Sequence, residues 1–439
     1  MNKSSFGMKS KNQLIERFLS KKSGTDLSTA ASPRTMGQLS VPEAFTRFDC
    51  HPGYEKLIVP QIAAGQLGLR NPFFISHDGS AGAITQIDGK EYINFSSYNY
   101  LGLSGHPLVN KAAKDAIDRY GTSASASRLV AGERPIQREL EEALADVYGT
   151  QNCIVFVSGH ATNVSTIGYL FGPKDLVVHD SLIHNSVLEG IKLSGATRRS
   201  FSHNDMNALD TLLSEIRMQF ERVLIVVEGH YSMDGDIPDL PTLVEIKRRY
   251  QCFLMVDEAH ALGVLGKTGK GIHEFYNLSG SDVDIWMGTL SKTLASCGGY
   301  ICGENALVEH LKYAVPGFVY SVGLAPALAA SALAALKIMF NEPERIARLQ
   351  ENGQLFLKLA QENKLNIGTS QGFSIIPAIT GSSLKSAKLS GKFFDKQINV
   401  QPIIYPAVEE KAARLRFFLS CLHTQTHIEK TVKLLKELR

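Results

Sequence analysis

The chain has 439 residues, enough for two to three domains and a large core. Its 44% apolar and 20% charged content is that of an ordinary globular protein, and 46 basic against 43 acidic residues leave a net charge of +3, too small to argue for nucleic acid as a partner. No run of about 18 apolar residues occurs, so no membrane span is expected, and the six cysteines lack paired or metal-type spacing, which reads as thiols of a reducing, cytoplasmic compartment.

Residues 1–22 carry six Lys/Arg against one Glu, with Leu14, Ile15, Phe18 and Leu19 spaced for one face of a short helix. This reads as a solvated tail with a docking helix rather than a transit peptide, which would be richer in Arg and free of acid. The segment "KKSGTDLSTAASPRT" that follows has linker composition. The folded part is expected to begin after about residue 45.

Between residues 150 and 300 short apolar runs recur: "CIVFVSG" (153–159), "DLVVHD" (175–180), "VLIVVEG" (223–229), "FLMVDE" (253–258) and "IWMGTLSK" (285–292). Continuous rather than alternating runs predict strands covered on both faces, hence a mainly parallel sheet with crossover helices in an α/β fold. They stop at Ser158, Asp180, Glu228, Asp257 and Lys292. Ligands of open parallel sheets bind beyond the carboxyl ends of the strands, so these residues are candidates for one crevice. Further on, "NEPERIARLQENGQLFLKLAQE" predicts a helix, "FSIIPAIT", "INVQPIIYP" and "ARLRFFLS" predict strands, and a last helix is expected from about Thr426.

Two motifs in "FLMVDEAHALGVLGKTGKG" suggest an ATP-driven motor, the Asp-Glu-Ala-His tetrad and Gly266-Lys267-Thr268. A phosphate loop, however, needs a glycine five residues before Gly266, where Ala261 stands. A different chemistry accounts for Asp257. Lys292, 35 residues further on, follows "IWMG" and precedes small residues and Gly298-Gly299. A lysine beside a buried crevice becomes a nucleophilic amine, and a strand-end carboxylate can hold a pyridine nitrogen protonated, which together suit pyridoxal phosphate.

The segments "INFSSYNYLGLSGHP", "GTSASASRLVAGERPIQRELEEALADVYG", "FVSGHATN", "HDSLIHNSVLEG", "FSHNDM", "VVEGHYSMDGDIPDL", "LMVDEAHALGVLGKTGKG", "GTLSKTLASCGGY" and "ARLRFFLS" run in order from about residue 92. Together they resemble the α-oxoamine synthase family of fold-type I pyridoxal phosphate enzymes. The resemblance implies a large domain with a mainly parallel central sheet covered by helices, plus a smaller C-terminal α/β domain. The expected divisions are 1–45 as extension and linker, 46–110 as an N-terminal segment, 111–335 as the large cofactor-binding domain and 336–439 as the small domain.

The resemblance also implies residue roles. Lys292 would hold the cofactor aldehyde and shuttle the α-proton, Asp257 would pair with the pyridine nitrogen, His260 would bond the phenolic oxygen, and His184 would stack on the ring. Ser158, Gly159, His160 and Thr289 would receive the phosphate, Ser232 would lie near the cofactor oxygen, and Ser321 would reach the phosphate from a neighbouring subunit. Arg416 would bind the amino-acid carboxylate, for which a guanidinium fork is suited, and Asn99 or Tyr98 would touch substrate. His203 is expected to be structural. The implied reaction condenses alanine, glycine or serine with an acyl thioester, on coenzyme A or an acyl carrier protein, with decarboxylation to an α-amino ketone. Family members are homodimers. The competing readings are another fold-type I activity, an aminotransferase or lyase, and a non-catalytic subunit of a heteromeric synthase.

Overall fold

The computed structural model describes residues 41–439 apart from Leu67; the expected tail helix and linker lie outside the described residues. The chain forms two units, one ending at Asn71 and the other running from Pro72 to Arg439. The described part of the first carries the helix Pro52–Gln66, with Pro60 inside it.

The second unit is built on a seven-stranded sheet in the order β3-β9-β8-β7-β6-β4-β5. Its strands are β3 (Asn152–Phe156), β4 (Leu176–Asp180), β5 (Thr197–Phe201), β6 (Val223–Glu228), β7 (Phe253–Asp257), β8 (Ile285–Thr289) and β9 (Gly299–Gly303). Only β9 runs against its neighbours, pairing antiparallel with both β3 and β8. All the parallel strands therefore deliver their carboxyl ends to one edge. Successive residues point to opposite faces, and both faces are buried. Val223, Ile225 and Val227 join one hydrophobic cluster, while Leu224 and Val226 join the other. This two-sided burial is why the strands read as continuous apolar runs.

Two strand ends differ from expectation. The ladders of β3 and β8 close at Phe156 and Thr289, so Ser158 and Lys292 lie on the turns that follow. Ser158 caps the helix Gly159–Leu170, accepting the Ala161 N–H at 3.3 Å. Two sheet members, β5 and β9, have no counterpart among the predicted runs.

Before this sheet, β1 (Ile84–Ile87) and β2 (Lys90–Asn94) form a hairpin. Its turn residues Asp88 and Gly89 both have positive φ, 49° and 72°, the mirror-type turn that matches strand twist. After it, β10 (Ile375–Ile379), β12 (Gln401–Ile403) and β13 (Arg414–Phe418) form a sheet in the order β10-β13-β12. The predicted single strand "INVQPIIYP" is divided: β11 (Ile398–Asn399) joins β2, while β12 joins β13. The two helices predicted in this part are present as Glu344–Glu362 and Gln425–Leu438.

Candidate active site

A crevice opens at the carboxyl edge of the sheet, lined by Gly159, His160, His184, Asp257, His260, Thr289 and Lys292, together with Asn163, Ser186 and Glu228. At one end, the first N–H groups of the helix Gly159–Leu170 have no carbonyl four residues back and carry the positive end of its dipole. The helix end reaches the strand because it begins with glycine: a Cβ on Gly159 would stand 2.9 Å from Thr289 Oγ1. Across from it, a Cβ on Gly299 would stand 2.7 Å from the Gly159 Cα. The Thr289 hydroxyl donates to the Gly298 carbonyl at 2.9 Å.

In the centre, Asp257 is the last residue of β7 and accepts two N–H donors, from Ala259 at 3.0 Å and from Asn163 Nδ2 at 2.9 Å. Asn163 Nδ2 also donates to Ser186 Oγ at 2.9 Å. That hydroxyl, having accepted, gives its own proton to His184 Nδ1 at 2.7 Å, and the Ser186 N–H approaches the same nitrogen at 3.3 Å. Nδ1 is thus an acceptor, and the ring proton belongs on Nε2. Burial lowers the pKa of His184, opposed by the charge of Asp257. A continuous hydrogen-bonded line therefore joins His184 to Asp257 through two side chains that sequence reading gave no role. Asn163 was legible only as part of "GHATN", four residues after Gly159 and so on the same helix face.

The Lys292 amine has no hydrogen-bond or ion-pair partner among the described residues. Burial lowers its pKa, with Asp257 and Glu228 opposing and Arg416 assisting. It lines a second, hydroxyl-rich cavity as well, with Ser97, Tyr98, Asn99, Ser291 and Ser296. Tyr98 faces Lys292, its ring centroid 5.6 Å from Nζ. Asn99 is buried and its side chain is spent on backbone groups, donating to the Ala81 carbonyl at 2.6 Å and accepting the Ser104 N–H at 3.1 Å. His260 Nδ1 meets Tyr100 Oη at 2.7 Å. Burial, reinforced by the positive charges of Lys292 and Arg416, pushes the pKa of His260 well down.

Arg416 comes from β13 and donates through Nη1 to the Ser232 carbonyl at 2.8 Å, its guanidinium 4.5 Å from the Phe418 ring centroid. Its Nε is buried without an acceptor. A donor without an acceptor in a buried site is costly and is ready for an anion. Ser232 is buried, its N–H bound to Glu228 Oε2 at 3.0 Å. Ser321 stands apart: within one chain it is half-buried and its hydroxyl donates to the neighbouring Val322 carbonyl. His203 also lies elsewhere, bridging Asp180 and Asp236.

A family model described as aminotransferase class I and II matches residues 90–435. The 8-amino-7-oxononanoate synthase of Fervidobacterium nodosum is 38% identical over 351 residues, spanning 79% of this chain and 88% of that protein. That of Treponema denticola is 36% identical over 360 residues, 82% of this chain and 91% of its own length. Among solved structures, the serine palmitoyltransferase of Sphingomonas wittichii is similar with a TM-score of 0.84 and 27% identity, covering 88% of this chain and 97% of that one. A structure of SPT with its PLP internal aldimine gives a TM-score of 0.84 at 26% identity, with the same coverage. The residues of the crevice fit that cofactor. A half-buried lysine with an unpartnered amine, a strand-end carboxylate and a glycine-built helix terminus are chemically suited to an aldehyde, a ring nitrogen and a phosphate.

Proposed function

The chain belongs to the class I and II aminotransferase family and within it to the α-oxoamine synthases, and on that premise we propose its residue roles and its substrates. The enzyme is pyridoxal phosphate-dependent and condenses an amino acid with an acyl thioester. When bound, the cofactor supplies an aldehyde carbon and a protonated ring that withdraws an electron pair. Asp257 holds the ring nitrogen, His184 covers the ring face, and His260 and Ser232 lie at its oxygen. The N–H groups of Gly159 and His160, with Ser158 and Thr289, hold the phosphate. Arg416 takes the amino-acid carboxylate with its free guanidinium donors. Lys292 Nζ, whose pKa burial lowers, removes the α-proton and later returns one.

In the net reaction the α-carbon bonds to the thioester carbonyl carbon, the C–S bond breaks to release free thiol, and the carboxylate leaves as carbon dioxide. The single observation that carries these roles is the half-buried Lys292, its amine without a hydrogen-bond or ion-pair partner among the described residues, sharing one crevice with Asp257. The amino acid is alanine, glycine or serine. The acyl donor is a carrier-protein or long-chain thioester in preference to a short acyl-coenzyme A. The working form is a homodimer in the cytoplasm, with residues 336–439 closing over the site. Two exposed apolar side chains, Val130 and Tyr320, at 82% and 85% exposure, support a subunit contact next to Ser321. The buried thiols of Cys153, Cys252, Cys302 and Cys421 support a reducing compartment.

The test is thiol release measured with each amino acid and a panel of acyl thioesters. Thiol appearing only when both substrates are present supports condensation. An amino-group transfer to a keto acid without thiol release refutes it.

A further inference from the structure

Glu228 is the last residue of β6 and stands directly opposite Asp257 in the parallel ladder. It is only 3% exposed and lines the same crevice as Lys292 and His184. Two carboxyl groups side by side in a buried site do not both carry charge at low cost. Their hydrogen bonds decide which one holds the proton. Asp257 is met by two N–H donors, whereas Glu228 is met by one, the Ser232 N–H on Oε2. Glu228 Oε1 is buried with no partner among the described residues.

We propose that Glu228 is a protonated carboxylic acid that donates a hydrogen bond from Oε1 to the ring phenolic oxygen of the bound cofactor. The assignment rests on the cofactor placement proposed above. Glu228 lies one strand from the carboxylate that holds the ring nitrogen and away from the phosphate end at Gly159 and Thr289, so the acceptor it can reach is on the ring. A neutral acid suits this position, because a second carboxylate would repel an oxygen anion that a donor stabilises. Burial first and the charge of Asp257 second push the Glu228 pKa up to about 8, against the Ser232 N–H and Lys292. The other titratable groups around it are Arg416 on β13, Tyr231 on the following turn, and His184 and His260 in the crevice. Its place in the ladder makes Glu228 a further cofactor-contacting residue for the same reaction.

The experiment is infrared difference spectroscopy of the full chain against Glu228→Gln, without and with pyridoxal phosphate. The inference expects a protonated-carboxyl stretch at neutral pH that is absent in the variant, fades with a midpoint near pH 8, and moves to lower frequency on cofactor binding. Cofactor affinity of the parent should fall as pH rises through about 8, whereas Glu228→Gln, whose amide still donates, should hold the cofactor as the parent does at neutral pH and show no such fall. Glu228→Ala should bind it roughly 10- to 100-fold more weakly, the scale of a hydrogen bond to a charged group. Thermal unfolding of both variants checks that they fold. A carboxylate signal already present at neutral pH, or a carboxyl stretch unmoved by bound cofactor, overturns the inference and leaves the proposed function standing. Absence of any cofactor absorption overturns both.

Discussion

His203→Ala gives a sharp test of the polar network that joins Asp180 to Asp236. Both ring nitrogens of His203 face carboxylate oxygens, Nδ1 at 2.9 Å from Asp180 Oδ1 and Nε2 at 2.9 Å from Asp236 Oδ2. Both must donate, so the ring is an imidazolium. Burial alone would lower its pKa, but the hydrogen bonds to Asp180 and Asp236 raise it to about 10. Asp180 keeps two backbone donors without it, Leu182 and Asn204, whereas Asp236 keeps the Thr369 hydroxyl on Oδ2 and has no partner on Oδ1. Removing one partner of a buried ion pair costs about 3–5 kcal/mol. The ring is 19% exposed and Asp180 is partly compensated, which places the expected loss near the lower end, about 3 kcal/mol. The sign with pH follows from a raised pKa. The contribution is complete below the unfolded value of about 6.5 and is lost as pH rises through about 10. Urea unfolding followed by the single tryptophan, the buried Trp286, is the assay. The gap between parent and variant should be largest near pH 6 and shrink clearly by pH 9.5. A loss under about 1 kcal/mol, or a gap equal at both pH values, would refute the imidazolium bridge.

Asp257→Asn should lower kcat by about 10²–10³, the scale of losing one preorganised electrostatic partner, and a variant within a fewfold of the parent in steady-state rate would contradict its role. Arg416→Ala should raise the amino-acid KM by roughly 10- to 100-fold with little change in the acyl-donor KM; equal changes in both constants would count against a carboxylate contact. Gly159→Ala places a methyl 2.9 Å from Thr289 Oγ1 and should weaken cofactor affinity, with a cost of about 1–3 kcal/mol for overpacking, as read by equilibrium dialysis.

In the seven-stranded sheet the strands that were legible in the sequence are those buried on both faces, because strands covered on both sides are apolar at nearly every position. β5 escapes this reading since "TRRSF" is exposed over Arg198, Arg199 and Ser200 at the sheet edge. β9 escapes because Gly299 and Gly303 bound it, and a glycine-rich stretch resembles a loop; its glycines are there for close approach to Gly159 and Asp284. "INVQPIIYP" reads as one strand, but the chain changes sheets at Val400, which side-chain pattern alone does not reveal. The site was legible where residue type is itself chemical, as in Lys292, Asp257, His184 and His260. Asn163, Ser186 and Tyr100 act by holding those groups, and their common residue types carry no such signal until the fold brings them together. Glu228 was visible as a strand end, but its partnerless oxygen is a property of packing.

The most direct measurement is the visible absorption spectrum of the purified protein with pyridoxal phosphate, alone and after alanine, glycine or serine, beside Lys292→Ala. A cofactor band in the parent that changes with one of these amino acids, and is altered in Lys292→Ala, is the predicted result. A protein that stays colourless with added cofactor would contradict the catalytic assignment of the crevice.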